Sequence, residues 1–364
     1  MRLKVVDIMK GFAIVMIVNV HLIGGAIFPI GSTFHVITFF FTSGILHGVS
    51  ESWNTQTFGK FFQHRFSRLM YPFFTLSICY ICFRIILNVV REGYVLNDVI
   101  KDSIIKTITL QGIGTLWFLP VLFLSEIIFF YLKGKRLHDG IIIVFGILII
   151  FISSYLNRNG ICGSLWYGDN SLYGFFINNP ITILLSSLIA ILFIDLGYVL
   201  YKIDPKLFLN DLKNEYTIVK LCIACFVFLL IDYLLVDFYR GDLHKLDIGN
   251  PFVYFLCSIS GITFVFTLSM ILNQYVKNRP SLIKHWGKNS LIIMTTHSEY
   301  FINSISFIAI TSLLPLFNIT VNSKVITGLS LFVIMIIETG IIYIINHSLL
   351  KYLYKAPTIS MIRN

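Results

Sequence analysis

Two ionisable side chains, Lys10 and His21, interrupt the first apolar stretch of the chain, in the sequence DIMKGFAIVMIVNVH. They are eleven residues apart, so a helix would place both on one face, roughly 16 Å apart along its axis. Ionisable groups are costly at membrane depth and mark functional sites there. Because neutral imidazole is a general base near physiological pH, His21 is the leading candidate for catalysis. The plainer alternatives are that Lys10 extends to the membrane surface and that His21 only hydrogen-bonds a neighbouring helix.

Three further basic residues could belong to the same chemistry. His35 begins the second apolar stretch, fourteen residues after His21, so two antiparallel neighbouring helices would bring both imidazoles to one end. Arg65 and Arg68 form an Arg-x-x-Arg pair just before Pro72, and two guanidinium groups at that spacing can clamp a phosphate. The alternatives are an ordinary interfacial histidine and an ordinary pair of cationic membrane anchors.

Two later segments carry candidate substrate-binding residues. Trp117 lies in GTLWFLP, and Ser290 and His297 lie two helical turns apart in SLIIMTTH. An aromatic residue at the membrane interface and a packed imidazole would explain the same patterns without function. Two Cys-x-x-Cys pairs fall inside apolar stretches, where cysteine behaves as a small hydrophobic residue, so we predict no metal site.

The composition predicts an all-α polytopic membrane protein. Of 364 residues, 56% are hydrophobic and 13% charged, against about 25% charged in soluble domains. Apolar runs of spanning length predict about ten transmembrane helices, near residues 7–28, 34–49, 72–90, 115–132, 140–156, 180–200, 218–236, 250–273, 289–314 and 325–350. The small residues Thr42, Ser43 and Gly44 should let a neighbouring helix approach the second span closely.

The distribution of lysines and arginines among the loops indicates how the chain is oriented in the membrane. The net charge is +10, and with a cytoplasmic N-terminus the inner loops hold eighteen lysines and arginines against seven in the outer loops. We therefore predict cytoplasmic N- and C-termini, a multi-pass protein of the inner (plasma) membrane, and no nucleic-acid partner. We expect a single integral-membrane domain, 1–364, with no appended soluble domain.

These motifs together resemble the membrane-bound acyltransferase family 3, especially its fucose 4-O-acetylase-like branch. The resemblance is strongest in DIMKGFAIVMIVNVH, FHVITFFFTSG, HRFSRLMYP, LWFLPVLF and GKNSLIIMTTH. The Arg/Lys-x10-His signature of the family falls on Lys10 and His21, its Arg-x-x-Arg on Arg65 and Arg68, and its second-span histidine on His35.

The resemblance implies an integral-membrane O-acyltransferase. It would move an acyl group, expected to be acetyl, from cytoplasmic acyl-CoA to a sugar hydroxyl of a cell-surface polysaccharide or its lipid-linked precursor. Acetyl-CoA would be a co-substrate and no cofactor would be bound permanently; the oligomeric state stays open. His21 would act as general base or would carry the acyl group itself. The alternative functions are a polysaccharide or lipid-linked oligosaccharide flippase, a polymerase, a small-molecule transporter, or a structural membrane subunit.

Overall fold

The structure is a computed structural model, and it describes residues 3–92, 97–163, 178–209, 215–239, 241–276, 281–316 and 322–355. Within these ranges the chain forms helices and no named strand, with one isolated bridge between Asp242 and Asp247. The all-α prediction is therefore confirmed. The α-helices are α1 (Lys4–Val20), α2 (Gly31–Ser50), α3 (Ser52–Thr55), α4 (Phe58–Arg65), α5 (Tyr71–Glu92), α6 (Asn97–Ile108), α7 (Phe118–Gly134), α8 (Asp139–Arg158), α9 (Asn179–Ile203), α10 (Lys206–Leu209), α11 (Glu215–Leu235), α12 (Pro251–Val276), α13 (Leu282–Lys288), α14 (Ser290–Thr296), α15 (Ile302–Leu316), α16 (Ser323–His347) and α17 (Lys351–Tyr354).

Seven helical segments among the described residues are long and apolar enough to cross a membrane. They are Phe58–Arg91, Gly114–Gly134, Asp139–Arg158, Asn179–Ile203, Thr217–Phe238, Pro251–Tyr275 and Ser323–His347. The chain is thus a multi-pass membrane protein, while the expected number of about ten spans is not confirmed.

The three remaining expected spans, 7–28, 34–49 and 289–314, differ from simple membrane helices. In the first of them, the helix α1 is only 17 residues long and ends at Val20. The second forms α2, a helix of 20 residues whose apolar sequence is interrupted by histidine, serine and threonine. The third is divided into α14 and α15, with a turn between Thr296 and Ile302. The first and third segments thus contain non-helical backbone, and the second contains polar side chains within a continuous helix.

The chain divides into two compact units. Unit 1 comprises Met1–Ser50, Phe193–Gly241 and Gly249–Tyr343, and unit 2 comprises Glu51–Leu192, Asp242–Ile248 and Ile344–Asn364. In unit 1, α1 packs against α2, α12, α13 and α14, and α11 packs against α12. In unit 2, α7 packs against α3 and α4, and α5 packs against α6 and α17.

Helices in unit 1 approach closely where glycine removes the side chain. A Cβ atom on Gly287 would lie 1.8 Å from the carbonyl oxygen of Asp7, and one on Gly11 would lie 2.0 Å from that of Ile283. The crossing of α1 and α13 therefore requires both glycines. A Cβ on Gly44 would similarly lie 1.8 Å from the carbonyl oxygen of Ile194, which confirms the predicted close approach to the small-residue patch of α2.

Candidate active site

His21 lies at the end of α1, in the first turn after the helix. Its peptide N–H donates to the carbonyl oxygen of Val18 at 3.1 Å, so the chain tightens as it leaves the helix. The buried Asn19 holds the segment that follows: its Oδ1 accepts from the N–H groups of Ile27 and Phe28, and its Nδ2 donates to the carbonyl oxygen of Phe28. The loop between α1 and α2 is thereby tied to the end of α1.

The imidazoles of His21 and His297 lie side by side in unit 1. Nε2 of His297 is 3.5 Å from Nδ1 of His21, and the ring centroids are 5.2 Å apart with an interplanar angle of 63°. His297 is fully buried, whereas the side chain of His21 is exposed. Residues 276 positions apart in the chain thus form one histidine pair, with one ring inside the protein and the other at its surface.

The hydrogen bonds of both rings fix their neutral tautomers. Nδ1 of His21 lies 2.7 Å from the carbonyl oxygen of Ile17, and Nδ1 of His297 lies 2.7 Å from that of Ile293. A carbonyl oxygen only accepts hydrogen bonds, so Nδ1 carries the proton in each neutral ring. Nε2 of each ring is therefore the basic nitrogen. In His21 that nitrogen belongs to an exposed side chain; in His297 it points at its partner.

His297 follows the last residue of α14, whose end is attached to α16. Thr296 Oγ1 lies 2.7 Å from Oε2 of the buried Glu338. Beyond His297 the chain turns, and Phe301 has a φ of 61°, in the left-handed region that a bulky residue rarely adopts. The break that separates α14 from α15 thus begins at the buried member of the histidine pair.

His35 belongs to the same part of unit 1. Its Nδ1 lies 3.0 Å from the carbonyl oxygen of Gly31 and 3.1 Å from that of Ser32, so its neutral ring also carries the proton on Nδ1. The ring is half-buried and is close enough to His21 for their positive charges to repel. The expectation that these two imidazoles line one site stays a prediction, and both residues lie in unit 1.

Two asparagines in the site were missed from the sequence. Asn19 fixes the loop as described, and Asn303, at the start of α15, bonds the backbones of both His21 and His297. The sequence did mark them as candidates, because a buried amide in an apolar helix is costly unless it forms hydrogen bonds. The partner of the Asn303 side chain was not predictable, since it lies 282 positions away.

Lys10 is half-buried on α1, beside the crossing with α13. The side chain of Lys284 packs at the same crossing, and burial lowers its pKa. The positive charges of Lys4 and Lys288 lower this pKa further, whereas the carboxylate of Asp7 raises it. The N-terminal end of α1 therefore carries an excess of positive charge, which favours an anionic ligand.

Arg65 and Arg68 lie in unit 2, where the chain passes from α4 into a π-helix, Phe66–Met70. Arg65 Nη1 lies 3.3 Å from Oε2 of Glu126, and both side chains are largely buried, with 14% and 2% exposed. Arg68, within the π-helix, is exposed. The wider π turn often marks functional sites. The two arginines thus differ: one is held in a buried ion pair, and the other faces outward.

The two remaining candidates lie in different units. Trp117, half-buried in unit 2, stacks on His244 with ring centroids 4.9 Å apart and an interplanar angle of 18°. Ser290, half-buried in unit 1, is the first residue of α14.

Among the described residues, no group of three or more histidines, cysteines, aspartates or glutamates could hold a metal ion. The connections 91–114 and 157–179, which follow the third and fifth expected spans, lie partly outside the described residues.

The membrane-crossing helices and the histidine pair define a multi-pass membrane protein with a basic nitrogen held at the end of a helix. The family model for an acyltransferase domain, Acyl_transf_3, matches residues 3–346. The chain therefore belongs to the membrane-bound acyltransferase family 3, and it is an acyltransferase. No curated protein and no solved structure gave a significant match.

Proposed function

We propose that this protein transfers an acetyl group from cytoplasmic acetyl-CoA to a sugar hydroxyl, with His21 as the general base. The observation that carries the proposal is the 2.7 Å contact between Nδ1 of His21 and the carbonyl oxygen of Ile17. Because Nδ1 donates to the carbonyl oxygen of Ile17, the exposed ring offers an unprotonated Nε2 to a substrate hydroxyl. This arrangement needs no change of tautomer before the reaction.

The reaction balances with His21 as the only proton carrier. Nε2 takes the hydroxyl proton while the sugar oxygen attacks the thioester carbonyl carbon. The tetrahedral intermediate collapses with cleavage of the C–S bond, and the sulfur leaves with its electron pair. The imidazolium of His21 returns the proton to that sulfur, giving the sugar ester, free CoA thiol and neutral His21.

His297 supports His21 during this cycle. When Nε2 of His21 accepts a proton, the ring becomes a cation, and Nε2 of His297 presents its lone pair 3.5 Å from Nδ1 of that ring. A buried neutral imidazole in that place orients the charged ring, in the way that a carboxylate orients histidine in many hydrolases. His35, as a second nearby imidazole, is proposed to contact the reacting hydroxyl.

Each unit also contains cations that we propose for the phosphates of the donor. In unit 2, Arg68 is exposed, and Arg65 is fixed by Glu126 with further N–H groups to donate. In unit 1, Lys10 adds to the positive charge at the beginning of α1. Guanidinium and ammonium groups bind phosphate oxygens by charge-assisted hydrogen bonds. Trp117 and Ser290 are proposed as acceptor-binding residues.

The proposed acceptor is a cell-surface polysaccharide or its lipid-linked precursor, in a bacterial inner membrane. A flippase, polymerase or transporter would use no CoA thioester. Purified protein in detergent, supplied with acetyl-CoA and a soluble glycan acceptor, is expected to release free CoA, and His21→Ala is expected to lose at least about a hundredfold in rate. His285→Ala, an exposed histidine on α13, is the matched control. Acceptor-dependent CoA release that survives in His21→Ala would overturn the assignment of the base.

Radiolabelled acetyl-CoA separates direct transfer from an acyl carrier. Direct transfer predicts that no label stays on the denatured wild-type protein during turnover. Label retained on the wild type and absent from His21→Ala would show instead that Nε2 attacks the thioester and carries the acetyl group.

A further inference from the structure

Asn303 connects the two backbones that bear the histidine pair. Its side-chain Nδ2 donates to the carbonyl oxygen of His21 at 3.0 Å. Its peptide N–H donates to the carbonyl oxygen of His297 at 3.2 Å. One residue at the start of α15 thus bonds to the backbone at the end of α1 and at the end of α14.

The environment of Asn303 does not favour stability. Its side chain is 6% exposed, and its Oδ1 has no hydrogen-bond partner in the described part of the chain. Burial of an acceptor without a partner costs free energy, so an apolar residue of similar size would suit packing alone better. Two residues earlier, Phe301 adopts a φ of 61°, a second unfavourable feature of the same turn.

The orientation of the amide is fixed by chemistry. A carbonyl oxygen accepts, so the nitrogen of the amide and not its oxygen must face His21. The side chain therefore acts as a donor to one particular atom. That atom belongs to the residue whose ring is the proposed base.

We propose that Asn303 is a positioning residue that sets the distance between the imidazoles of His21 and His297. The inference rests on the proposed function of His21. The two rings sit on separate helices, and a shift of either helix end would change the 3.5 Å separation of Nε2 and Nδ1. Asn303 fixes both ends against one another, so Nε2 of His21 keeps its direction while the ring gains and loses a proton.

Two variants remove the connection in different ways. Asn303→Ala removes the donor, and Asn303→Asp keeps the shape but places a carboxyl oxygen beside the carbonyl oxygen of His21. Both keep the peptide N–H. The matched control is Ser306→Ala on the same helix, where a hydroxyl that is 1% exposed has no hydrogen-bond partner among the described residues.

The experiment measures kcat and KM for acetyl-CoA by CoA release, in the wild-type and in the His21→Ala background. Both Asn303 variants are expected to lower kcat at least about tenfold with KM within about twofold, because misplacement of a catalytic group slows the chemical step. Ser306→Ala should keep the wild-type kcat. In the His21→Ala background, Asn303→Ala should cause no further loss.

The outcomes separate this inference from the proposed function. If His21→Ala is inactive and Asn303→Ala retains the wild-type kcat, the positioning role is overturned while the base assignment stands. An equal loss from Asn303→Ala in both backgrounds, or a loss equal to that of Ser306→Ala, would mean a general structural effect and would also overturn it. If His21→Ala is fully active, the proposed role of His21 as general base is wrong, and the positioning role of Asn303 is overturned with it.

Discussion

At the scale of single residues, the histidine pair combines one accessible ring and one buried ring. The same hydrogen bond, from Nδ1 to the carbonyl oxygen four residues earlier, is present in His21 and in His297. It directs a basic nitrogen outward in the first and toward the partner in the second. This arrangement assigns the two residues different tasks, although their local bonding is the same.

His297→Ala should weaken catalysis without abolishing it. Loss of the buried ring leaves His21 with its bond to Ile17 but without the lone pair beside Nδ1. We expect kcat to fall about tenfold to a hundredfold, as for a misplaced catalytic group, with KM for both substrates nearly unchanged. Steady-state CoA release measures both constants. A rise in acceptor KM at constant kcat would instead make His297 a substrate-binding residue.

Arg68→Ala should act on donor affinity. The guanidinium is exposed in the π-helix, and its removal deletes charge-assisted bonds to phosphate while leaving His21 intact. We expect KM for acetyl-CoA to rise about tenfold, equivalent to about 1.4 kcal/mol, with a smaller change in kcat. Lys135→Ala, which removes another exposed cation of unit 2, is the control. Equal effects of the two substitutions would indicate nonspecific loss of charge.

At the scale of secondary-structure elements, the residues of the histidine site lie on the segments that least resemble membrane helices. His21 ends a helix of 17 residues, His35 lies in the polar α2, and His297 begins the break between α14 and α15. The seven helices that meet the length and hydropathy of a membrane span carry none of the three histidines. The three histidines of the proposed chemistry therefore all lie outside the regular spans.

Gly287→Ala should destabilise unit 1 through the crossing of α1 and α13. The new Cβ would lie 1.8 Å from the carbonyl oxygen of Asp7, so the helices must move apart at a cost of about 1–3 kcal/mol. The measurement is the thermal unfolding midpoint in detergent.

Gly340→Ala provides the control for this crossing. Gly340 lies within α16, and a Cβ there would meet no atom within 4 Å. Alanine is favoured over glycine by about 1 kcal/mol inside a helix, so the midpoint should stay or rise slightly. A lower midpoint for Gly340→Ala, or an unchanged one for Gly287→Ala, would contradict the packing of this crossing.

At the scale of the whole molecule, the sequence predicted the all-α class and the seven regular spans to within a few residues at most ends. The long apolar runs made this possible, because hydropathy is a local property. The contacts of His21 with His297 and with Asn303 were not predictable, since they join residues 276 and 282 positions apart. The broken helix after His297 was also missed, because residues 289–314 have the length of a single membrane span and a left-handed Phe301 leaves no local pattern.

The charge distribution predicts a topology that labelling can test. In a cysteine-free background, Arg158→Cys, in an expected outer loop, should react with a membrane-impermeant thiol reagent on intact cells. Arg136→Cys, in an expected inner loop, should react only after the membrane is made permeable. The reason is the positive-inside bias of the loops. The reverse pattern would place the N-terminus outside. The proposed phosphate-binding cations would then not face cytoplasmic acetyl-CoA.

The three hydrogen bonds of Asn19 have a consequence for how substrates arrive. They hold the connection between α1 and α2 at Ile27 and Phe28, shortly before α2 begins at Gly31. A loop held by hydrogen bonds at that point is unsuited to open and close as a gate over His21. Access to Nε2 of His21 should therefore not depend on opening of this connection, and turnover should be insensitive to a covalent tether across it.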